Sequence, residues 1–235
     1  MSIQGVVGDR AAVVIDANNL PASSYNAPPV PLTAAIRMGR GTNAVEWLTA
    51  KNAVFGNANI GTDLASTTTN IRVAHVASSN SVRGLDVRNF GAAHAGRVLN
   101  AEIVDNDLFN NRITAGECIR IANNQVAAGA TINVTLTGNR SYDNYHGFLV
   151  NNNQSSNSFV TVMSSGNRFY ENAVGGVIVG AVSAGANVGN GNTVTFRGDG
   201  DVYENNNAVN NSGFPDVGGL VILGGENTSF VNGVS

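Results

Sequence analysis

The sequence has few charges and few of the residues that build common reactive sites. Of its 235 residues only 12% are charged, and Lys51 is the single lysine. Because the formal net charge is −3, the chain offers no basic surface to a phosphate backbone, which excludes nucleic acid as a partner. The single cysteine, Cys118, excludes an intramolecular disulfide framework and a cysteine-based zinc site, and it predicts a small buried thiol.

Long apolar runs and an export signal are also missing. No run approaches the roughly 18 apolar residues of a membrane-spanning helix. The opening MSIQGVVGDRAAVVIDA lacks the charged start, apolar middle and small-residue cleavage site of a signal peptide. The protein is therefore either cytoplasmic or exported with its signal removed. The abundance of Asn and Gly and the scarcity of Lys favour the second, a secreted, periplasmic or cell-surface protein.

What the sequence has in abundance is a repeat built around asparagine. The strings NDLFNN, NRSYDN, NRFYEN and DVYENN reach Asn111, Asn144, Asn172 and Asn205, at spacings of 33, 28 and 33 residues. Short alternating runs such as INVTLTG and GFLVNN separate them, which indicates β-strands and not helices. Three short strands in each unit of about 28 residues predict a parallel solenoid whose turns stack to form one core.

The units GNRFYEN…GGVIV and their copies resemble the repeats of right-handed parallel β-helices, the pectate-lyase-like superfamily and particularly its NosD-like periplasmic members. This resemblance covers about residues 50–225. We therefore predict an all-β fold, a right-handed parallel β-helix of about 7 to 8 rungs with asparagine ladders. The chain, 1–235, is interpreted as one domain, with irregular first rungs and a proline-rich excursion in 1–49, repeat rungs in 50–225 and a C-terminal end in 226–235.

The asparagines have a structural interpretation. In stacked rungs each turn residue lies about 4.8 Å from its counterpart, and Asn tolerates the left-handed backbone of a sharp turn. Its amide both donates and accepts, so equivalent asparagines can form hydrogen-bonded ladders. The predicted ladders consist of Asn106, Asn139 and Asn167, and of Asn111, Asn144, Asn172 and Asn205.

Residues at equal offsets from the ladders should form columns along the helix axis. One column is aromatic and is predicted to stack, either as packing or as a sugar-binding platform. It consists of Phe109, Tyr142, Tyr170 and Tyr203.

The next position is acidic in three of the four units. We expect a solvated edge partly paired with Arg140 and Arg168, with a calcium-type oxygen site as the alternative. The column consists of Asn110, Asp143, Glu171 and Glu204, and Asp107 and Asp201 are expected to alternate with the two arginines.

The strand after each ladder has two inward-facing aliphatic positions with one outward-facing position between them. In related polysaccharide lyases and hydrolases this strand carries the active-site groove. The outward column is predicted to be Arg120, Leu149, Ile178 and Val221. Its aliphatic members favour contact with a partner, self-association or the chain's own loops, and the open ends of the solenoid are a second surface for self-association.

No catalytic set is carried over from the resembled lyases, which use an acidic calcium site with a basic residue on the groove strand. Arg120 is the matching basic residue, but no Asp column faces it. The string HAGR, together with an upstream aspartate, is the nearest approach to an acid–base cluster. The catalytic candidates are therefore Asp86, His94, Arg97 and Arg120.

These features lead us to expect an extracytoplasmic binding or structural module, without a cofactor, that contacts carbohydrate or a protein partner. The alternative is a carbohydrate-active enzyme, a lyase, hydrolase or epimerase, with a groove site. A copper-delivery role, by likeness to NosD, is disfavoured by the three scattered His, three Met and one Cys.

Overall fold

In the computed structural model the chain folds as a parallel β-solenoid. Each turn adds one strand to each of three parallel sheets, and a short 3-10 helix at Ala92–His94 interrupts the otherwise all-β chain. The structure describes residues 1–18, 34–53, 56–61, 66–112, 117–124, 128–151, 155–180, 192–206, 218–223 and 228–233.

The strands, numbered in chain order, alternate regularly among the sheets. The first sheet contains β1 (Ser2–Gln4), β4 (Gly41–Glu46), β7 (Thr68–Ala74), β10 (Val98–Val104), β13 (Thr131–Thr137), β16 (Phe159–Ser165), β19 (Thr193–Asp199) and β22 (Thr228–Gly233). The second contains β2 (Val14–Asp16), β5 (Thr49–Lys51), β8 (Ala77–Ser79), β11 (Asp107–Phe109), β14 (Arg140–Tyr142), β17 (Arg168–Tyr170) and β20 (Val202–Glu204). The third contains β3 (Ala34–Met38), β6 (Gly56–Gly61), β9 (Arg83–Phe90), β12 (Glu117–Asn124), β15 (His146–Asn151), β18 (Gly175–Gly180) and β21 (Gly218–Leu223).

This architecture confirms the predicted all-β parallel solenoid. Neighbouring strands of each sheet come from successive turns and pair in parallel, as in β10 with β13 and β13 with β16. The right hand of the coil and the number of rungs stay predictions. Residues 19–33, within the predicted proline-rich excursion, and 207–217 lie outside the described residues.

The core fills the space between the three sheets. In β13 the alternating sequence TINVTLT sends Ile132, Val134 and Leu136 inward, as a period of two requires. Three phenylalanines form its aromatic centre, with Phe148 at 6.1 Å from Phe169 and 6.2 Å from Phe196 between ring centroids. Each such buried side chain contributes about 1.5–3 kcal/mol to folding.

Two corners of each turn are formed by single residues with left-handed backbone. Asn and Gly are frequent at these positions because other side chains strain this conformation. The corner between the first and second sheets contains Trp47, His75, Asp105, Gly138, Gly166 and Gly200. The corner between the second and third sheets contains Asn52, Asn80, Asn110, Asp143, Glu171 and Asn205.

Next to each corner runs a buried amide ladder, and both predicted ladders are present. In the first, Asn106 Nδ2 donates to Asn139 Oδ1 and Asn139 Nδ2 to Asn167 Oδ1, each over 2.9 Å. In the second, Asn111 and Asn144 donate in the same way to Asn144 and Asn172, each over 3.1 Å. The backbone N–H groups of four of these residues also bind the next Oδ1, so the ladder amides are satisfied inside the solenoid.

The last turn corrects the predicted register by one residue. Asp201 was predicted to lie in the arginine column, but it follows Asn167 in the first ladder. In the second ladder Asn206 follows Asn172, where Asn205 was predicted. β17 pairs with β20 so that Phe169 is opposite Tyr203. Tyr203 therefore faces the core and stacks on Phe169 at 5.6 Å, because a shift of one residue moves a side chain to the other face.

Glu204 and Asn205 move with this shift. Glu204 is opposite Tyr170, so it belongs to the aromatic column and not to the acidic one. Asn205 takes the left-handed corner position that Asp143 and Glu171 occupy in the preceding turns.

The third sheet confirms the predicted register but not the predicted exposure. Ile119 pairs with Phe148, and Arg120 with Leu149, as the repeat predicts. Arg120 and Leu149 were expected to face solvent, yet they are 5% and 6% exposed. The Leu149 side chain is therefore not an open surface for self-association, and the Ile178 and Val221 side chains lie outside the described residues.

Two smaller points follow from the same description. Cys118 is a buried free thiol, as expected from the sequence. Within the described part of the chain, no helix has the length and apolar character needed to cross a membrane.

Candidate functional site

An open groove of about 870 Å³ lies on the outer face of the first sheet. Its floor is formed by side chains from β4, β7, β10, β13 and β16. The resembled enzymes instead carry their groove on the strand equivalent to the third sheet, where this protein buries Arg120 and Leu149. Because the groove crosses five neighbouring strands, it can accommodate an extended ligand.

An exposed amide ladder runs along this groove. Asn100 Nδ2 donates to Asn70 Oδ1 over 2.8 Å, and Asn133 Nδ2 donates to Asn100 Oδ1 over 2.9 Å. Thr161 and Thr195 continue the column on the next two strands. The middle amide of Asn100 uses one N–H and one oxygen lone pair in the ladder, so one donor and one acceptor remain for a ligand.

A compensated ion cluster lies beside the ladder. Arg72 Nε contacts Glu46 Oε1 at 2.8 Å, and its NH1 group contacts Glu102 Oε1 at 2.5 Å. Hydrogen bonds to Glu102 and Glu46 hold the pKa of the Arg72 guanidinium above its ordinary value. The cluster has two carboxylates for one guanidinium, so it presents no excess positive charge to a ligand.

Apolar side chains border the ladder on β16. Phe159 and Met163 are 44% and 41% exposed, and Thr161 lies between them on the same outward face. Phe159 is opposite Thr131 of β13, and Met163 is opposite Thr135. The outer face thus combines a polar column with exposed apolar groups, which is the mixture that sugar rings require.

The exposed ladder was missed by sequence reasoning. Asn100, Asn133, Thr161 and Thr195 are spaced by 33, 28 and 34 residues, the spacings of the first buried ladder from Asn106 to Asp201. The shared spacing was a usable signal. An alignment anchored on the turn asparagines alone does not reveal it.

The predicted aromatic column forms on the outer face of the second sheet, without Tyr203. The ring centroids of Phe109 and Tyr142 are 5.4 Å apart, those of Tyr142 and Tyr170 are 5.0 Å apart, and both pairs are tilted by 11°. The Arg168 guanidinium lies over the Tyr170 ring at 5.0 Å. Because the ring faces cover one another, solvent meets mainly their edges, so the geometry favours packing over a sugar-stacking platform.

The predicted acidic column is divided among separate ion pairs. Asp143 pairs with Arg112, Glu204 pairs with Arg168, and Arg140 Nε contacts Asp107 Oδ1 at 2.6 Å. Arg140 thus pairs with Asp107, as the expected alternation in the arginine column implied, and not with Asp143. In the described parts of the chain, no group of three or more His, Cys, Asp and Glu side chains is arranged to hold a metal ion.

Two of the catalytic candidates are neighbours on the third sheet. Asp86 of β9 is opposite Arg120 of β12, and Asp86 Oδ2 lies 3.0 Å from Arg88 Nε. Three residues earlier on the same two strands, Arg83 Nε contacts Glu117 Oε2 at 2.7 Å. Glu117 is opposite His146 of β15. These six residues of β9, β12 and β15 are largely buried and are called the charged cluster below; the sequence predicted only Asp86 and Arg120 among them.

The other two catalytic candidates lie near the first sheet. His94 is the last residue of the 3-10 helix that follows β9. Arg97 NH1 donates to the Ser66 carbonyl over 2.5 Å. The guanidinium that contacts Asp86 is that of Arg88, not that of Arg97.

Comparisons with known proteins do not add to this geometry. No family model, curated protein or solved structure matches the chain.

Proposed function

We propose that the protein is a carbohydrate-binding module whose site is the groove on the first sheet. The observation that carries this proposal is the exposed ladder of Asn70, Asn100 and Asn133 along the groove floor. Sugar hydroxyls both donate and accept hydrogen bonds, and an amide offers the complementary pair of groups. Repeated at each strand, these amides form a regular row for a polymer to follow.

Carbohydrate is favoured over a protein partner by the regular arrangement of polar groups on this face. The groove lining contains apolar groups, among them Met1, Ile71 and Met163, and the exposed Phe159 lies beside it on β16. Its polar groups are the ladder amides, threonine hydroxyls and the ion pair of Arg72 with Glu102. Because the amides recur on successive strands in one register, they suit a repeating polymer better than an irregular protein surface.

The finer parts of the family resemblance belong to this proposal. The asparagine repeat supports a relation to the pectate-lyase-like superfamily and its NosD-like members. A right-handed coil is supported because connections between parallel strands are right-handed in the great majority of cases. An extracytoplasmic location is supported by the composition of the chain, in particular its single lysine.

The test is a binding assay with a panel of purified polysaccharides by affinity electrophoresis. The double variant Asn100→Ala/Asn133→Ala removes the middle of the exposed ladder and should abolish the retardation of the wild-type protein. The matched control is Asn80→Gly/Asn110→Gly, which removes a similar ladder contact of 2.6 Å at a corner outside the groove. Equal binding by all three proteins, or no binding by the wild type, overturns the proposal.

A second candidate function is carbohydrate cleavage at the charged cluster of the third sheet. It is favoured by the strand register that sets Asp86 opposite Arg120, which places a carboxyl group and a guanidinium on adjacent strands. It ranks second because Asp86 is fully buried and Arg120 is nearly so. Release of reducing ends or unsaturated products by the wild type, and its loss in Asp86→Asn, would support it.

A further inference from the structure

We infer that the ligand of the groove is a neutral, extended β-1,4-linked glycan that runs along the solenoid axis, and that Phe159 contacts the apolar face of one of its sugars. This inference rests on the proposed function and names its substrate class. Three observations carry it: the direction of the amide row, the charge of the groove and the position of the exposed phenylalanine.

The direction of the amide row sets the shape of the ligand. Asn70, Asn100, Asn133 and Thr161 lie on four successive strands in one register, so they are about 4.8 Å apart along the axis. A β-1,4-linked polymer of pyranose sugars is extended, and each sugar advances by about one such step. One sugar per turn can therefore meet one polar side chain of the column.

The charge of the groove selects against polymers of uronic acids. Arg72 is the guanidinium among the groove-lining residues, and Glu46 and Glu102 already bind it. A row of ligand carboxylates would compete with these two pairs and would be repelled by the exposed Glu102. A neutral glycan meets no such cost.

Phe159 explains how a neutral sugar is held without charge. Its side chain is among the exposed large apolar groups of the described surface, and it lies beside the groove lining on the outward face of β16, two residues from Thr161. Pyranose rings with equatorial substituents present C–H groups on their faces, and these pack on the electron-rich face of an aromatic ring. The rings of Phe109, Tyr142 and Tyr170 stack across neighbouring strands, whereas the cross-strand partners of Phe159 are Thr131 and Thr193, which are not aromatic.

The experiment measures the affinity of the full chain for oligosaccharides of defined length by calorimetry. The probes are β-1,4-linked glucose, xylose and mannose oligomers of two to six sugars and an α-1,4-linked galacturonate hexamer. We expect one or more neutral series to bind with affinity rising up to at least four sugars, and no binding of the galacturonate. Phe159→Ala should weaken the binding about three- to tenfold, whereas Phe109→Ala, on the second sheet, should leave it unchanged.

The outcomes separate this inference from the proposed function. If galacturonate binds, binding is lost in Asn100→Ala/Asn133→Ala and the neutral series do not bind, then the inference is wrong and the proposed function stands. A neutral series whose affinity does not rise beyond two sugars, or is unchanged in Phe159→Ala, also overturns the inference alone. If no glycan of the full polysaccharide panel binds, both are wrong.

Discussion

Asparagine has two roles in this protein, and its solvent exposure separates them. In Asn144, Oδ1 accepts from the N and Nδ2 of Asn111, while Nδ2 donates to the Leu108 carbonyl and to Asn172 Oδ1. All of these bonds are buried. In Asn133 the ladder bond is exposed, so water can replace it. The same side chain therefore stabilises the fold at one position and offers hydrogen bonds to a ligand at the other.

The first prediction compares these two positions. Asn144→Ala leaves a buried N–H and a buried carbonyl without partners and should lower the free energy of unfolding by about 1–3 kcal/mol. Asn133→Ala should change it by less than about 0.5 kcal/mol. Urea unfolding followed by circular dichroism measures both. Equal losses in the two variants would contradict the division into structural and exposed ladders.

The second prediction concerns Cys118. Burial raises the pKa of its thiol to about 12, from an ordinary value of 9.0. Its contribution to stability is therefore fully present below pH 9 and is lost as the pH rises from 9 to 12, because the unfolded chain releases the proton first. The stability difference between the wild type and Cys118→Ala should shift against the wild type by about 1 kcal/mol between pH 8 and pH 10.

A simple control accompanies this measurement. At pH 8 a thiol-specific disulfide reagent should label Cys118 only after unfolding in denaturant. Rapid labelling of the native protein would show that the thiol is accessible and would remove the physical reason for the raised pKa.

At the scale of the strand, close approach between neighbouring turns limits which residues can follow the second ladder. A Cβ added at Gly147 would lie 2.4 Å from the Gly176 carbonyl oxygen, and one at Gly176 would lie equally close to the Gly219 carbonyl oxygen. Glycine is therefore required at the second residue of β15 and of β18. This requirement explains the HG pair at 146–147 and the GG pair at 175–176.

The third prediction follows from this contact. Gly147→Ala should destabilise the protein by about 1–3 kcal/mol, because backbone atoms of the adjacent turn must move. The control is Gly166→Asn: Gly166 has left-handed backbone, which Asn tolerates, and no atom lies within 4 Å of an added Cβ. Its effect should stay below about 1 kcal/mol. Thermal unfolding measures the stability of both variants. A smaller loss of stability in Gly147→Ala than in the control would contradict the requirement for glycine at this position.

The strand scale also shows what the sequence could and could not predict. The columns from Asn111 to Asn172 were predictable because these three units share apolar spacing and turn asparagines. The last unit was assigned wrongly because YEN occurs in both NRFYEN and DVYENN, whereas the structure aligns Phe169 with Tyr203. A buried aromatic position, and not the identity of three letters, decides that register.

The candidate site was less predictable than the fold. Asn70, Asn100 and Asn133 lie in the middle of strands, where a polar residue on the outward face looks like ordinary solvent exposure. The register that sets Asp86 opposite Arg120 joins two chain segments 34 residues apart in which the sequence repeat is weak. Function in this solenoid is built across turns, so only the register between turns reveals it.

For the whole molecule, the three outer faces have different chemistry. The second sheet carries stacked aromatic rings and surface ion pairs, and exposed pairs of this kind contribute about 0–1 kcal/mol each. The third sheet buries its charged cluster. The first sheet alone combines an open groove with an amide row on its described surface, which is why we place ligand binding there.

The most direct test of this claim is nuclear magnetic resonance of the backbone and side-chain amides during titration with the tightest-binding oligosaccharide of the panel. The signals of Asn100 and Asn133 should shift on binding, and those of the buried Asn139 and Asn144 should not. Shifts confined to the charged cluster around Arg120 and His146, with Asn100 and Asn133 unchanged at saturation, would contradict the account and move the site to the third sheet.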